Sequence, residues 1–134
     1  MREAVAALRW RERETTDTTI RPYLTSLRAA LEGDREKSLA ALEAAATLPI
    51  DAEALYYLAR TFARLGAGDR AVLELRRVVD GGFWCYDALI RDRWLDPIRS
   101  RPEARAALEE ARDRAERCRA TFVESDGETL LVLT

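Results

Sequence analysis

The chain has 134 residues, 48% hydrophobic and 34% charged, a balance that belongs to a globular protein and excludes a disordered tail. Its 22 basic and 24 acidic residues leave a net charge of −2, too small to steer it toward nucleic acid or an anionic membrane surface. Histidine is absent, which removes the commonest general base and the commonest metal ligand at neutral pH.

The length suits one domain over 1–134, burying roughly two-thirds of the surface its unfolded chain would expose. No apolar run approaches the ~18 residues of a membrane span, and a cytoplasmic location is expected. The only thiols, Cys85 and Cys118, lack Cys-x2-Cys spacing and are expected to be reduced core residues.

In chain order, strong helix formers dominate and glycine and proline serve as punctuation. A first helix is predicted over 2–14, with Val5 and Leu8 on one face and Trp10 among charges. The run from Thr15 to Thr19 reads as a loop, and Pro22 fits the first turn of a second helix carrying Leu24, Leu27 and Leu31. Gly33-Asp34 ends that helix and caps a third, whose buried stripe is Leu39, Leu42 and Ala45 or Ala46.

Pro49 stops the third helix and Asp51 caps a helical hairpin. Its first helix presents Leu55, Leu58, Ala59, Phe62 and Leu65, and its second answers with Ala71, Val72, Leu75, Val78 and Val79. Gly81-Gly82 breaks the pattern before an aromatic stretch, Phe83, Trp84, Tyr86 and Trp94. Ser100-Arg101-Pro102-Glu103 reads as a capping box opening a long helix to about Thr121, with Ala104, Leu108, Ala111, Ala115, Cys118 and Phe122 on one stripe. An apolar tail over 123–134 closes the chain, and its run Leu130–Leu133 is expected to dock in cis or on a second copy.

The hairpin from Glu53 to Cys85 reads Leu55-x2-Leu58-Ala59-x2-Phe62, then, after Gly66, Ala71-x3-Leu75-x2-Val78. This resembles the tetratricopeptide repeat (TPR), whose consensus is W-x2-L-G-x2-Y followed by A-x3-F. Gly33 and Gly66 lie 33 residues apart, and Ser38-x3-Leu42-x2-Ala45 parallels Ala71-x3-Leu75-x2-Val78. Upstream the match weakens, because Leu58 and Ala59 shifted back by 33 land on Thr25 and Ser26. The best repeat is therefore 53–85, with a degenerate one at about 20–50 and a C-terminal cap at about 86–122.

Gly82-Phe83, Leu89, Leu95-Asp96-Pro97-Ile98-Arg99 and Pro102 also resemble the C-terminal TPR region of bacterial multidomain regulators such as eukaryotic-like Ser/Thr kinases. Arg93 stands where those proteins often have proline and Ala104 where they often have phenylalanine, so the terminal helix is expected to pack differently. The resemblance implies an all-α fold of TPR-like antiparallel helical hairpins in a short right-handed superhelix, closed by a long C-terminal capping helix.

In such proteins the inner face of each hairpin's first helix lines a concave groove for a peptide. The corresponding positions are Glu53, Tyr56, Tyr57, Arg60, Ala63 and Arg64. Tyr56, Arg60 and Arg64 share one helix face, and an aromatic with two guanidinium groups suits an acidic or C-terminal carboxylate peptide. The plainer alternative is a solvated face whose arginines pair with nearby acids. Trp84 is a further candidate anchor, or else core beside Phe83 and Trp94.

Non-catalytic protein–protein interaction, as an adaptor or regulatory module in bacterial signalling, is thus the expected function, with homodimerisation as the alternative. No cofactor, metal, nucleic acid or membrane is expected, and no enzyme. Gly66-Ala67-Gly68 sits between helices instead of after a strand, and the carboxylates lack His or Cys co-ligands.

Overall fold

The computed structural model describes residues 2–125 together with Gly127 and Thr129, and all regular structure among them is helical. The order is α1 (Arg2–Glu14), α2 (Arg21–Leu31), α3 (Arg35–Ala46), α4 (Ala52–Arg64), α5 (Gly68–Asp80) and α6 (Tyr86–Arg91). A 3₁₀ turn (Arg93–Leu95) then leads to α7 (Asp96–Arg99) and the 23-residue α8 (Pro102–Glu124). Most of the apolar tail, including Leu130–Leu133, lies outside the described residues.

Packing is densest within the α2–α3 and α4–α5 pairs, which meet through α3 against α4. One apolar core runs from Leu42 through Leu58, Phe62, Leu75 and Val78 to Leu89, Leu95 and Ile98. Ala104, Ala107 and Ala111 of α8 bury completely or nearly so. Alanine on that face lets α8 lie close against α5 and α6, where the expected phenylalanine at position 104 would need room.

Each hairpin turns in the same way. Gly33 and Gly66 take left-handed backbone with φ of 81° and 75°, which a residue with a Cβ adopts only under strain. The following N–H groups, of Asp34 and Ala67, each reach back 2.9 Å to the carbonyls of Ala29 and Phe62. That bonding satisfies carbonyls a helix end would otherwise leave open.

Burial also recurs at a separation of 33. Ser26 and Ala59, Ala29 and Phe62, Ser38 and Ala71, Leu42 and Leu75, Ala45 and Val78, and Ala46 and Val79 are all buried pairs. Other positions of α2 do not follow: Leu24 is buried where Tyr57 is exposed, and Thr25 is half-buried where Leu58 is buried, so the offset read at Thr25-Ser26 remains. Ser26 fills the close-contact position because its hydroxyl is 3.0 Å from that of Ser38, which itself donates to the Ser26 carbonyl at 2.9 Å. A small hydroxyl pair thus replaces the small apolar pair Ala59/Ala71, whereas Leu31 ends exposed.

Charge ties the hairpins together. Glu74 is completely buried, with Arg70 at 2.9 Å and Arg77 at 2.8 Å from its two oxygens. Arg70 also pairs with Glu43 of α3 at 2.9 Å, and the Nη1 of Arg77 donates to the Ala46 carbonyl at 3.3 Å. Arg70 and Arg77 thus link α5 to α3 while neutralising Glu74, whose Oε1 takes no hydrogen bond, and a buried carboxylate so paired adds little net stability. By contrast α1 buries no residue completely. It is held to α2 by Glu12–Arg28 at 2.6 Å and Arg9–Glu32 at 2.6 Å.

Three local expectations are corrected. Helix α8 has no capping box: its N-cap is Arg101, with no side-chain cap, because the residue before Pro102 is driven to extended backbone (ψ 137°). Cys85 and Cys118 are exposed free thiols and not core residues. Cys85 lies in the link after α5, and the second half of α8 runs beyond the core, so Cys118 and Phe122 stay open.

Candidate functional site

Helix α4 carries the predicted groove residues. Asp51 opens it by accepting the Ala54 N–H at 2.7 Å, and the apolar spacing of Leu55, Leu58, Ala59 and Phe62 turns one side into the core. Ala63 is buried as well. The remaining candidates divide into two sets that the fold treats differently.

Tyr56 and Arg60 are closed over by the segment joining α6 to α7. The Asp92 carboxylate, only 7% exposed, accepts the Tyr56 hydroxyl at 2.7 Å with Oδ2 and caps the Trp94 N–H at 2.9 Å with Oδ1. The same Oδ2 lies 3.0 Å from the Nε of Arg60, whose N–H is not aimed at it, so this contact is Coulombic and not a hydrogen bond. The Arg60 guanidinium rests over the Trp94 ring at 4.6 Å and near Tyr56 at 5.6 Å.

Tyr56 stacks on Phe83 with ring centres 5.2 Å apart, and Arg99 secures the Asp92 carbonyl at 2.9 Å. Burial first, then the bond to Asp92 and its charge, push the Tyr56 phenol well above its ordinary value. Asp92 therefore occupies the carboxylate position that Arg60 was expected to offer a ligand. Arg64, one turn further on, is exposed to solvent.

Trp84 is half-buried. Its indole N–H donates to the Val79 carbonyl at 2.8 Å, and the Arg114 guanidinium covers its ring at 5.4 Å. It closes the end of α5 against α8, while Phe83 and Trp94 are half-buried in the Tyr56–Arg60 cluster. Trp10 is 57% exposed.

Glu53 and Tyr57 open instead into a cleft of about 470 Å³ where the N-terminal ends of α2 and α4 face each other across the end of α3. Ile20 and Tyr23 form one wall, Ala54 and Tyr57 the other, and Ala45, Ile50 and Leu58 line the space between. The Tyr23 and Tyr57 rings lie 6.3 Å apart. Asp17, Thr19, Asp51 and Glu53 complete the lining, which contains no basic residue.

The carboxylates are held in place. Oδ1 of Asp17 accepts the Thr19 N–H at 2.8 Å and its hydroxyl at 2.6 Å, which keeps Asp17 below the usual carboxylate range. Oε1 of Glu53 accepts the Tyr57 hydroxyl at 3.1 Å, and that bond raises the phenol. Burial raises the Tyr23 phenol too, so both rings stay neutral at physiological pH. Among the described residues, no three acidic or thiol groups stand close enough together to hold a metal ion.

Sequence reasoning reached Glu53 and Tyr57 but missed Ile20, Tyr23, Ile50 and Asp17 across the cleft, and Asp92 behind Arg60. Tyr23 had a usable signal, since it lies 33 residues before Tyr56, one of the positions read on α4. Asp92 had none, because it meets Tyr56 across 36 positions of chain from within the stretch Arg91-Asp92-Arg93. No family model, curated protein or solved structure matches the chain significantly.

Proposed function

We propose that this protein is a non-catalytic interaction module that holds a segment of a partner protein in the cleft between α2 and α4. The single observation that carries the reading is the cleft itself: about 470 Å³ of apolar and aromatic space, built on two rigid hairpins and open to solvent. Such a surface is already in shape, so a flexible segment that docks incurs most of the ordering cost alone. Tyr side chains give large contact area with few rotamers to fix.

What supports the resemblance to TPR hairpins is a single correspondence: six buried positions separated by 33 and the matching turns at Gly33 and Gly66. On that reading α2 and α4 are the first helices of successive hairpins, and the cleft is their shared inner face. The role would be that of an adaptor or regulatory module in cytoplasmic bacterial signalling. Catalysis is not favoured: the cleft's polar groups are carboxylates, phenols and the Thr19 hydroxyl, which is bonded to Asp17 beside the Thr19 N–H as part of a local turn.

One observation favours a second reading, self-association. Ala104, Leu108, Ala111, Ala115, Cys118 and Phe122 alternate in steps of four and three along α8, the spacing of a helix-pairing seam. The core covers only the first half, and Phe122 and Val123 stay 42% and 60% exposed. Arg112 and Arg114 beside the seam are paired within α8 with Glu116 and Glu110, so charge does not oppose a second helix. The cleft reading is preferred because the core already covers the first half of the seam.

The test is selection of a random-peptide display library on the immobilised full chain, beside an Ala54→Trp variant that fills the cleft. Ala54 is half-buried on the cleft wall, and Tyr57→Ala serves as a second variant if the tryptophan disturbs folding by circular dichroism. Peptides retained by wild type and lost by both folded variants support the reading. Recovery that ignores the cleft substitutions places binding elsewhere and overturns it.

A further inference from the structure

The charge of the cleft differs from that of the face beside it. On one side of α4 an arginine has been matched with an internal acid, Asp92. At the cleft, Asp17, Asp51 and Glu53 stand at separate points of an otherwise apolar lining that contains no cation. Their internal bonds use one oxygen each at Asp51 and Glu53, Oδ1 and Oε1, and the second oxygen of each takes no hydrogen bond from the described residues. The α4 N-terminus that Asp51 caps absorbs part of one charge. Glu53 and Asp17 retain theirs.

Resting on the interaction reading above, we propose that the cleft selects a basic segment of a partner protein. An arginine or lysine places its charged end against Glu53 and Asp17, and its stem and an adjacent apolar residue lie on Tyr23, Tyr57 and Ile50. A long cationic side chain suits this combination, because its methylene stem covers apolar surface while its head stays at a polar rim. Guanidinium suits it best, since a planar fork can bond one carboxylate and stack on a phenol ring together. An acidic segment, which the arginines of α4 suggested from sequence, meets carboxylates here and an already paired Arg60 next door.

The same library selection separates this inference from the reading beneath it. Peptides lost on Ala54→Trp are expected to share an arginine or lysine next to an apolar residue. Replacing that residue by citrulline in a synthetic copy keeps the shape and removes the charge, and should weaken binding about tenfold, equivalent to ~1.4 kcal/mol. The Asp17→Asn/Glu53→Gln double variant should weaken the arginine peptide several-fold and leave the citrulline peptide unchanged. Binding of the arginine peptide should also fall with added salt.

Cleft-dependent peptides that lack a basic residue, or that tolerate citrulline, overturn the basic-segment inference and leave the interaction reading standing. A selection that never distinguishes wild type from the filled cleft overturns both.

Discussion

The two hairpins, α2–α3 and α4–α5, share six buried positions at a separation of 33 and fill them with different chemistry. Where the second hairpin has Phe62, the first has Ala29; where the second has Ala59 against Ala71, the first has Ser26 bonded to Ser38. Backbone geometry repeats while side-chain polarity does not. A helical hairpin therefore constrains size at its closest contacts more strictly than hydrophobicity, provided every buried hydroxyl finds a partner.

The largest expected effect comes from removing what the second hairpin has and the first lacks. Phe62→Ala empties a completely buried ring site, and should lower stability by about 3–5 kcal/mol in urea denaturation. A loss below ~1 kcal/mol would mean that the second hairpin relaxes around alanine as the first does around Ala29.

Next is the serine pair. Ser38→Ala leaves the buried Ser26 hydroxyl without its acceptor and should cost about 1 kcal/mol. The double replacement Ser26→Ala/Ser38→Ala, which reproduces the Ala59/Ala71 contact, should recover most of that loss. Strictly additive losses in the four-member cycle would break the equivalence of the two hairpins.

The smallest effect at neutral pH is Tyr56→Phe, which removes one hydroxyl bond to Asp92. Its signature is alkaline. The Tyr56 phenol is raised in the folded state, so the folded chain keeps its proton where the unfolded chain, near pH ~10, releases it. The stability it contributes is complete below that pH and is lost as pH climbs above it. Wild type should therefore lose stability more steeply than Tyr56→Phe in denaturation series above pH ~10. Parallel curves would show that the phenol is no more protected than an exposed one.

The second hairpin was legible because its close contacts are apolar: Leu55, Leu58, Phe62, Leu75 and Val78 announce their face by spacing alone. In the first, Ser38 was legible by its parallel with Ala71, but Ser26 looks like a surface residue until its hydrogen bond with Ser38 is seen. Helix starts at Asp34 and Asp51 followed from local side-chain capping. The start of α8 was misread because Pro102 acts on the residue before it, leaving Ser100 no cap to make.

For the site, Glu53 and Tyr57 could be placed on α4 from the sequence. Whether their neighbours Tyr56 and Arg60 stayed open depended on Asp92, a tertiary partner with no local trace. Cys118 kept the seam spacing of α8, but the seam outruns the core, and periodicity does not report where a neighbour ends.

Helix α1 lies on α2 without a fully buried residue of its own. It is about 20 Å long, and Glu12 and Glu32 hold it through arginines. Burial works against ionisation at Glu12, but the bonds from Arg28 and Thr25 outweigh it, and both acids sit below the ordinary carboxylate range. Acid that protonates them and salt that screens them act in the same direction. The frictional size of this protein is therefore expected to grow in acid and in high salt, a change that sedimentation velocity would read.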